Sequence, residues 1–310
     1  MKDFLRTADL SPRQLGEVLA LSHRLKAEPN AENSLLAGET VVLYFTKPST
    51  RTKLSTETAV ARLGGTPVSV VPSELQLGRG ETIEDTARVI SRYARAFVIR
   101  TYSDDDVRRF AAAASIPVIN ALTDQHHPLQ SLADLMTLEQ RFGKLAGLPV
   151  AYVGDGNNVA NSLMEAAGLA GLQLRLATPP GYAPEAEIVS HAQRLATAYG
   201  GEITLTTDPA EAVKGAKAVY TDVWVSMGTP EAEREARLAA LQPYQVDQAL
   251  MAEAASDAIF LHCLPCHRDE EVSAAVVDGP QSAVFDQAEN RLHTAAAMLV
   301  ALIGNRLSAV

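Results

Sequence analysis

Apolar positions along the chain change their period repeatedly, and each change marks an element. Leu15, Val18, Leu19 and Leu25 recur at helical spacing behind Ser11-Pro12-Arg13-Gln14, a capping-box pattern with proline at the first helical position. A helix is predicted to start there. Short β-branched runs at 41–45, 68–71, 97–100 and 118–120 are predicted strands, and the longer amphipathic stretches 52–63 and 81–93 predicted helices. Residues 128–142, with Leu135, Leu138 and Phe142 on one face, predict a helix that Gly143 stops. Further strands are predicted at 150–153, 172–177, 203–205, 218–221, 259–262 and 283–285, again separated by helical stretches. A last helix over 291–307 carries Leu292, Leu299 and Ile303 on one face.

Strands alternating with helices in this way predict the α/β class, as two doubly wound parallel-sheet domains. The expected division is 1–143 and 144–290, with the C-terminal segment 291–310 packing back on the first domain. Length supports two domains, since 310 residues exceed what a single core usually fills. The cleft between two such domains is the expected place for an active site.

Charge and composition then narrow the function. With 27 Lys plus Arg against 37 Asp plus Glu, the formal net charge is -10, and no basic stripe offers a phosphate-backbone surface. Nucleic acid is excluded as a partner. The two cysteines, Cys263 and Cys266, are too few and too close for a disulfide framework, which fits a reducing compartment. The first residues carry charges where a signal peptide needs an apolar stretch, and no apolar run reaches ~18 residues. The expectation is a cytoplasmic protein with no membrane partner.

Candidate chemistry collects beyond the carboxyl ends of the predicted strands, where open α/β sheets bind ligands. The first strand runs through Ser49-Thr50-Arg51-Thr52 directly into a helix. Hydroxyls, backbone N–H groups and a guanidinium there suit a phosphate dianion, although the same residues also make an ordinary helix cap with a surface arginine. The strand at 97–100 ends in Arg100-Thr101, and the next leads to His126-His127-Pro128-Leu129-Gln130. An arginine and a histidine at neighbouring strand ends can share one carbonyl oxygen as it gains charge. A lone His127 reads equally as a capping or solvated residue. The run Asp104-Asp105-Asp106 reads as a solvated helix start.

The second half offers Gly154-Asp155-Gly156-Asn157-Asn158 after a strand. It fails as a dinucleotide fingerprint, because Val159 occupies the third glycine position and the next strand ends in Thr178-Pro179-Pro180 with no acid for a ribose. Its asparagines can read an amino-acid carboxylate or ammonium, or simply form a turn. Asp222-Val223-Trp224-Val225-Ser226-Met227-Gly228 supplies a carboxylate for an ammonium group and a stretch suited to a closing loop, with Trp224 and Met227 also readable as packing residues. His262-Cys263-Leu264-Pro265-Cys266-His267 invites a zinc or thiol-redox reading. Adjacent His-Cys pairs would all have to turn onto one metal and no second Cys pair exists, so no metal is expected.

Taken together, S-T-R-T at 49–52, Arg100-Thr101, His-Pro-Leu-Gln at 127–130, Asp-Val-Trp-Val-Ser-Met-Gly at 222–228 and His-Cys-Leu-Pro at 262–265 resemble the aspartate/ornithine carbamoyltransferase superfamily over essentially the whole chain. The Ser-Met-Gly loop and the His-Cys-Leu-Pro strand end are similar to its ornithine branch. The resemblance implies transfer of the carbamoyl group from carbamoyl phosphate to the δ-amine of L-ornithine, giving L-citrulline and phosphate without a cofactor. It implies a carbamoyl-phosphate-binding first domain and an ornithine-binding second domain. Ser49, Thr50, Arg51 and Thr52 would hold the phosphate, with Arg100, His127 and Gln130 on the carbamoyl group and Arg291 near its carbonyl. Gln76 matches a glutamine donated by an adjacent subunit, so a homotrimer with shared active sites is implied. Asn158, Asp222, Ser226 and Met227 would read ornithine, and Cys263 and Leu264 would face the reacting amine.

Three positions depart from the family pattern: Lys53 stands for an arginine, Thr56 for an aromatic residue and Cys266 for a small one. Lysine keeps the charge of arginine but loses its bidentate fork, and Cys266 adds possible redox sensitivity. On charge, an aspartate acceptor would need an extra cation that 222–230 does not provide, whereas an ornithine ammonium suits Asp222. The competing readings are a putrescine or N-acetylornithine carbamoyltransferase, a nicotinamide-dependent oxidoreductase and a non-catalytic binding protein on the same fold.

Overall fold

The computed structural model describes residues 1–77, 80–225 and 230–309. It divides into two compact units, Met1–Met136 with Glu289–Val310 and Thr137–Ala288.

The first unit opens with α1 (Pro12–Ala27), capped as its sequence predicts: Gln14 N donates to Ser11 Oγ at 3.3 Å and Ser11 N to Gln14 Oε1 at 3.0 Å. There follow β1 (Thr40–Phe45), α2 (Arg51–Arg62), β2 (Thr66–Val70), α3 (Ile83–Tyr93), β3 (Ala96–Arg100), α4 (Asp104–Ala113), β4 (Val118–Leu122) and α5 (Pro128–Phe142). The strands form one parallel sheet in the order β2-β1-β3-β4. Central β1 and β3 are buried along almost their whole length, which explains their unbroken apolar runs. The chain steps from β1 out to β2 and returns to β3 on the other side of β1. That reversal opens a crevice at the carboxyl ends of β1 and β3, where 46–52 and Arg100 lie. The three aspartates at 104–106 fill the first turn of α4, where its dipole favours negative charge.

The second unit holds β5 (Pro149–Val153), α6 (Asn158–Ala170), β6 (Gln173–Ala177), α7 (Ala186–Tyr199), β7 (Glu202–Thr206), α8 (Pro209–Val213), β8 (Ala218–Thr221), α9 (Glu231–Leu241), α10 (Gln248–Ala252), β9 (Ile259–His262) and α11 (Ala274–Val277). Its parallel sheet has the order β7-β6-β5-β8-β9, so the reversal falls between β5 and β8. Buried Tyr152 and Tyr220, on these two strands, meet edge to face with centroids 5.8 Å apart. The loops beyond β5 and β8 carry Asp155, Asn157 and Asp222.

One predicted element is corrected. Residues 283–285 are not a strand: Val284 opens α12 (Val284–Ile303), and only an isolated bridge between Ser282 and Phe260 precedes it. A short apolar triplet satisfies either period, and here Phe285 faces solvent while Val284 is buried. The last helix therefore starts seven residues earlier than 291 and ends at Ile303 rather than 307. The chain leaves the first unit inside α5 and re-enters it inside α12. Among the described residues, no helix is long and apolar enough to cross a membrane.

Candidate active site

In the first unit the basic groups expected at strand ends come together. Arg100 ends β3 at a register shift against β4, the kind of irregularity that re-aims a side chain. Its carbonyl accepts from Thr46 N at 2.9 Å, and its Nη1 donates to Ser49 Oγ at 3.4 Å. Thr50 stands at the N-cap position of α2 without a side-chain capping bond, and Arg51 and Thr52 open its first turn. His127 is buried immediately before α5. Burial first, and then the guanidinium groups of Arg291, Arg100 and Arg51, hold its imidazole well below the ordinary histidine range. The side chain is a neutral donor and acceptor at neutral pH.

Arg291, on α12, fastens the other members of this group. Its Nη2 donates to Thr52 Oγ1 at 2.7 Å and its Nη1 donates to Gln130 Oε1. Gln130 Nε2 donates in turn to Asp134 Oδ1 at 2.8 Å, one helical turn further along α5. All four side chains are buried, so a substitution that strands one partner leaves an unsatisfied polar group. Two further positions lie apart from this network. Gln76 is exposed, and Lys53, the departure from the family's arginine, sits 3.9 Å from Glu57 on the flank of α2. Thr56, the second departure, is buried on the same helix.

The second unit assembles a carboxylate site. Asp222, buried just beyond β8, has both oxygens engaged: Asn157 Nδ2 donates to Oδ2 at 2.7 Å and Cys263 Sγ donates to Oδ1 at 3.0 Å. Asn157 can do this because its own Oδ1 caps α6, accepting from Val159 N at 2.9 Å and Ala160 N at 3.2 Å. The preceding Gly156 admits no side chain, since a Cβ there would lie 2.3 Å from Pro184 N. Asn158, the residue expected to read ornithine, is the first residue of α6. Ser226 and Met227, also expected there, lie outside the described residues, as does the 226–228 stretch expected to close.

Beyond β9 the chain turns sharply. Leu264 adopts φ 57°, and its N–H donates to Nδ1 of buried His262 at 2.8 Å, which places the ring proton on Nε2 toward Glu271 Oε1 at 3.2 Å. This lock fixes Cys263 and Leu264 in position. Cys266 instead packs against the hydrophobic core of the unit, where burial pushes its thiol up. A raised thiol carries less reactive thiolate.

Sequence reasoning missed several positioning groups. Asp134 was visible as an i, i+4 partner of Gln130, whereas Asn157's contact with Asp222 spans 65 residues and has no local signal. Arg237 on α9 is another. It donates to Asp155 Oδ2 and, through Nε, to Trp224 O at 3.0 Å, while its guanidinium lies 5.1 Å from the Tyr182 ring centroid. Asp155 thus sits between a cation and a second carboxylate.

Burial, opposed by Arg237 and reinforced by Asp222, raises the Asp155 carboxyl from 3.8 to about 6. A raised carboxylate binds its proton more readily folded than unfolded, so this group's contribution favours the native state as pH falls and is lost as pH rises through about 6. The displacement corresponds to roughly 3 kcal/mol. Asp155→Asn removes that titration. Urea midpoints of wild type and variant at about pH 7 and about pH 4.5 should show the difference moving toward the wild type at the lower pH. Parallel pH dependence in the two proteins contradicts the assignment.

Comparison with known proteins matches both halves of the chain. The family description "Aspartate/ornithine carbamoyltransferase, carbamoyl-P binding domain" fits residues 2–140, and "Aspartate/ornithine carbamoyltransferase, Asp/Orn binding domain" fits residues 146–302. An ornithine carbamoyltransferase of Parafrankia sp. (strain EAN1pec) is 50% identical over 312 residues, covering 100% of this chain and 98% of that protein. The ornithine carbamoyltransferase of Bacillus subtilis (strain 168) is 49% identical, with 97% and 94% covered. The solved ornithine carbamoyltransferase from Pyrococcus furiosus superposes with a TM-score of 0.94 at 46% identity, over 98% of this chain and 97% of its own. With both halves matched in order and the buried Arg, His and Asp clusters at the sheet ends, the chain belongs to the aspartate/ornithine carbamoyltransferase family.

Proposed function

We propose that this protein is an ornithine carbamoyltransferase, moving the carbamoyl group of carbamoyl phosphate to the δ-amine of L-ornithine without a cofactor and releasing L-citrulline and phosphate. The observation that carries the choice of acceptor is Asp222: a buried carboxylate fixed on both oxygens, suited to one ammonium group and repelling an acidic acceptor. The first unit supplies the donor site, the second the acceptor site.

The phosphate dianion binds the N-terminal turn of α2 through Ser49, Thr50, Arg51 and Thr52, where backbone N–H groups and the helix dipole add to the arginine. Arg100, His127 and Gln130 donate to or orient the carbamoyl group, and Arg291 holds Gln130 and Thr52 in place. An alkyl amine has a pKa of ~10.4, so its nucleophilic form lies about 4 to 5 kcal/mol uphill at pH 7. The cationic donor site disfavours an ammonium beside the carbonyl, and Asp222 with Cys263 orients the neutral amine. Attack forms the C–N bond, and the carbonyl oxygen gains charge beside Arg100 and neutral His127. The C–O bond to phosphate then breaks, and the proton lost by the amine leaves on the phosphate.

Asn158, Ser226 and Met227 are assigned to the α-amino and carboxylate end of ornithine, with Leu264 against the aliphatic chain. Gln76 is assigned to the site of an adjacent copy in a homotrimer; its exposure supports this. Cys263 and Cys266 carry thiols rather than a disulfide, in keeping with a reducing cytoplasm.

The deciding experiment measures ureido-product formation from carbamoyl phosphate with ornithine, putrescine, N-acetylornithine and aspartate side by side. Ornithine should give the highest kcat/KM, and preference for any other acceptor overturns the assignment. Arg100→Ala should lower kcat by about 10²- to 10³-fold with ornithine, and near-normal turnover would remove Arg100 from the chemistry. Mixed assemblies of inactive Arg100→Ala and Gln76→Ala copies should recover part of the lost activity, because some sites then receive both intact residues. Recovery no greater than the sum of the separate variants argues against sharing.

A further inference from the structure

The tight turn after β9 places three potential metal ligands together, one of them the Glu271 that accepts from His262. His267, Glu270 and Glu271 each offer a ligand atom, and these lie within 4.8 Å of one another. The turn is fixed by its own backbone: Glu270 N donates to His267 O at 3.1 Å, His267 N to Glu271 Oε1 at 2.6 Å and Asp269 N to Val272 O at 2.8 Å. Glu271 is fully buried, and while Oε1 accepts from His262 and from His267 N, Oε2 has no hydrogen-bond partner. A buried carboxylate oxygen left in that state is costly unless something cationic answers it. It points toward the imidazole of His267, whose Nδ1 is 3.6 Å away, with Glu270 Oε2 4.0 Å from the same nitrogen.

We propose that His267, Glu270 and Glu271 form a binding site for a divalent first-row transition metal of the zinc type. One imidazole nitrogen and two carboxylate oxygens are the ligand set that borderline cations of this class accept. Two ligand atoms at ~2.1 Å on a tetrahedral ion stand about 3.4 Å apart, so the His267–Glu271 pair at 3.6 Å is already near that spacing, and Glu270, 4.0 Å from the same nitrogen, reaches it by a change of side-chain rotamer. His267 is about half exposed and Glu270 partly so, which leaves the outer side of the ion to water. The neighbouring charges do not block the position: Arg268 is paired in two hydrogen bonds with Asp278, and Arg234 lies 3.6 Å from the other oxygen of Glu270. Glu271 alone links the site to the groups described above, through the bond of its Oε1 with His262.

A second group, Asp222, His262 and Cys263, also brings ligand atoms within 4.8 Å, but it belongs to the acceptor site and contains a thiol. Cobalt(II) distinguishes the two, since thiolate ligation adds an intense charge-transfer band that nitrogen and oxygen ligation lacks. The full-length protein, titrated with Co²⁺ and separately with Zn²⁺ by calorimetry, should bind one ion per chain with weak d–d bands only. His267→Asn and Glu270→Gln, both at exposed or half-exposed positions that leave the core intact, should each weaken binding by about ten-fold or more, while Cys263→Ser leaves this site's affinity unchanged. Zn²⁺ should also raise the melting temperature of the wild type and not of His267→Asn. Equal affinity in the wild type and His267→Asn, a charge-transfer band lost in Cys263→Ser, or no saturable binding overturns the proposal.

Discussion

Crowding of positive charge around one buried imidazole is the constraint on which the donor site rests. Arg51, Arg100 and Arg291 come from α2, β3 and α12, three stretches far apart in sequence, and their combined field acts on His127. The arrangement costs folding energy, because like charges are gathered where water is scarce. In the function proposed above, a doubly charged donor offsets this cost by bringing negative charge to the arginines. Burial first, and then the same field, keep His127 from taking up a proton, which in the function proposed above leaves the ring available as a hydrogen-bond partner for an oxygen that gains charge.

The acceptor site follows the opposite logic. There the charges are carboxylates, buried Asp222 and partly buried Asp155, and one guanidinium, Arg237, holds the second of them. Asp222 keeps its geometry through neutral donors, an amide and a thiol, rather than through a cation. Its negative charge is therefore not already neutralised by a fixed positive group of its own, and remains attractive to an ammonium. Arg237 binds Asp155 and the carbonyl of Trp224 together, which ties the loop beyond β5 to the segment after β8. The two loops that shape the acceptor site are thus coupled by one side chain that makes no appearance in any sequence motif.

How much of this could be read from the sequence depended on the range of the interaction. The α1 cap was legible because Ser11 and Gln14 answer each other three residues apart. The central strands were legible because strands buried on both faces are unbroken apolar runs, whereas the strand order, and with it which strand ends flank each crevice, came only from the structure. Residues 283–285 misled because three apolar residues fit a strand or the first turn of a helix equally well, and only the exposure of Phe285 decides between them. Arg51, Arg100 and His127 could be proposed from their places after strands, but Arg291 came only through family resemblance, since no local pattern ties a residue of α12 to Gln130 and Thr52. The same holds for Asn157 on Asp222 and for the lock between His262 and Glu271, whose partners are settled by folding rather than spacing.

The protonation state of His127 tests the central claim most directly. In protein labelled with ¹⁵N at histidine, with the signal assigned by its loss in His127→Asn, the ring should stay neutral and show no titration between about pH 6 and pH 8. Uptake of a proton near or above the ordinary histidine value of ~6.5 would mean that burial and the arginines do not act on this ring as described.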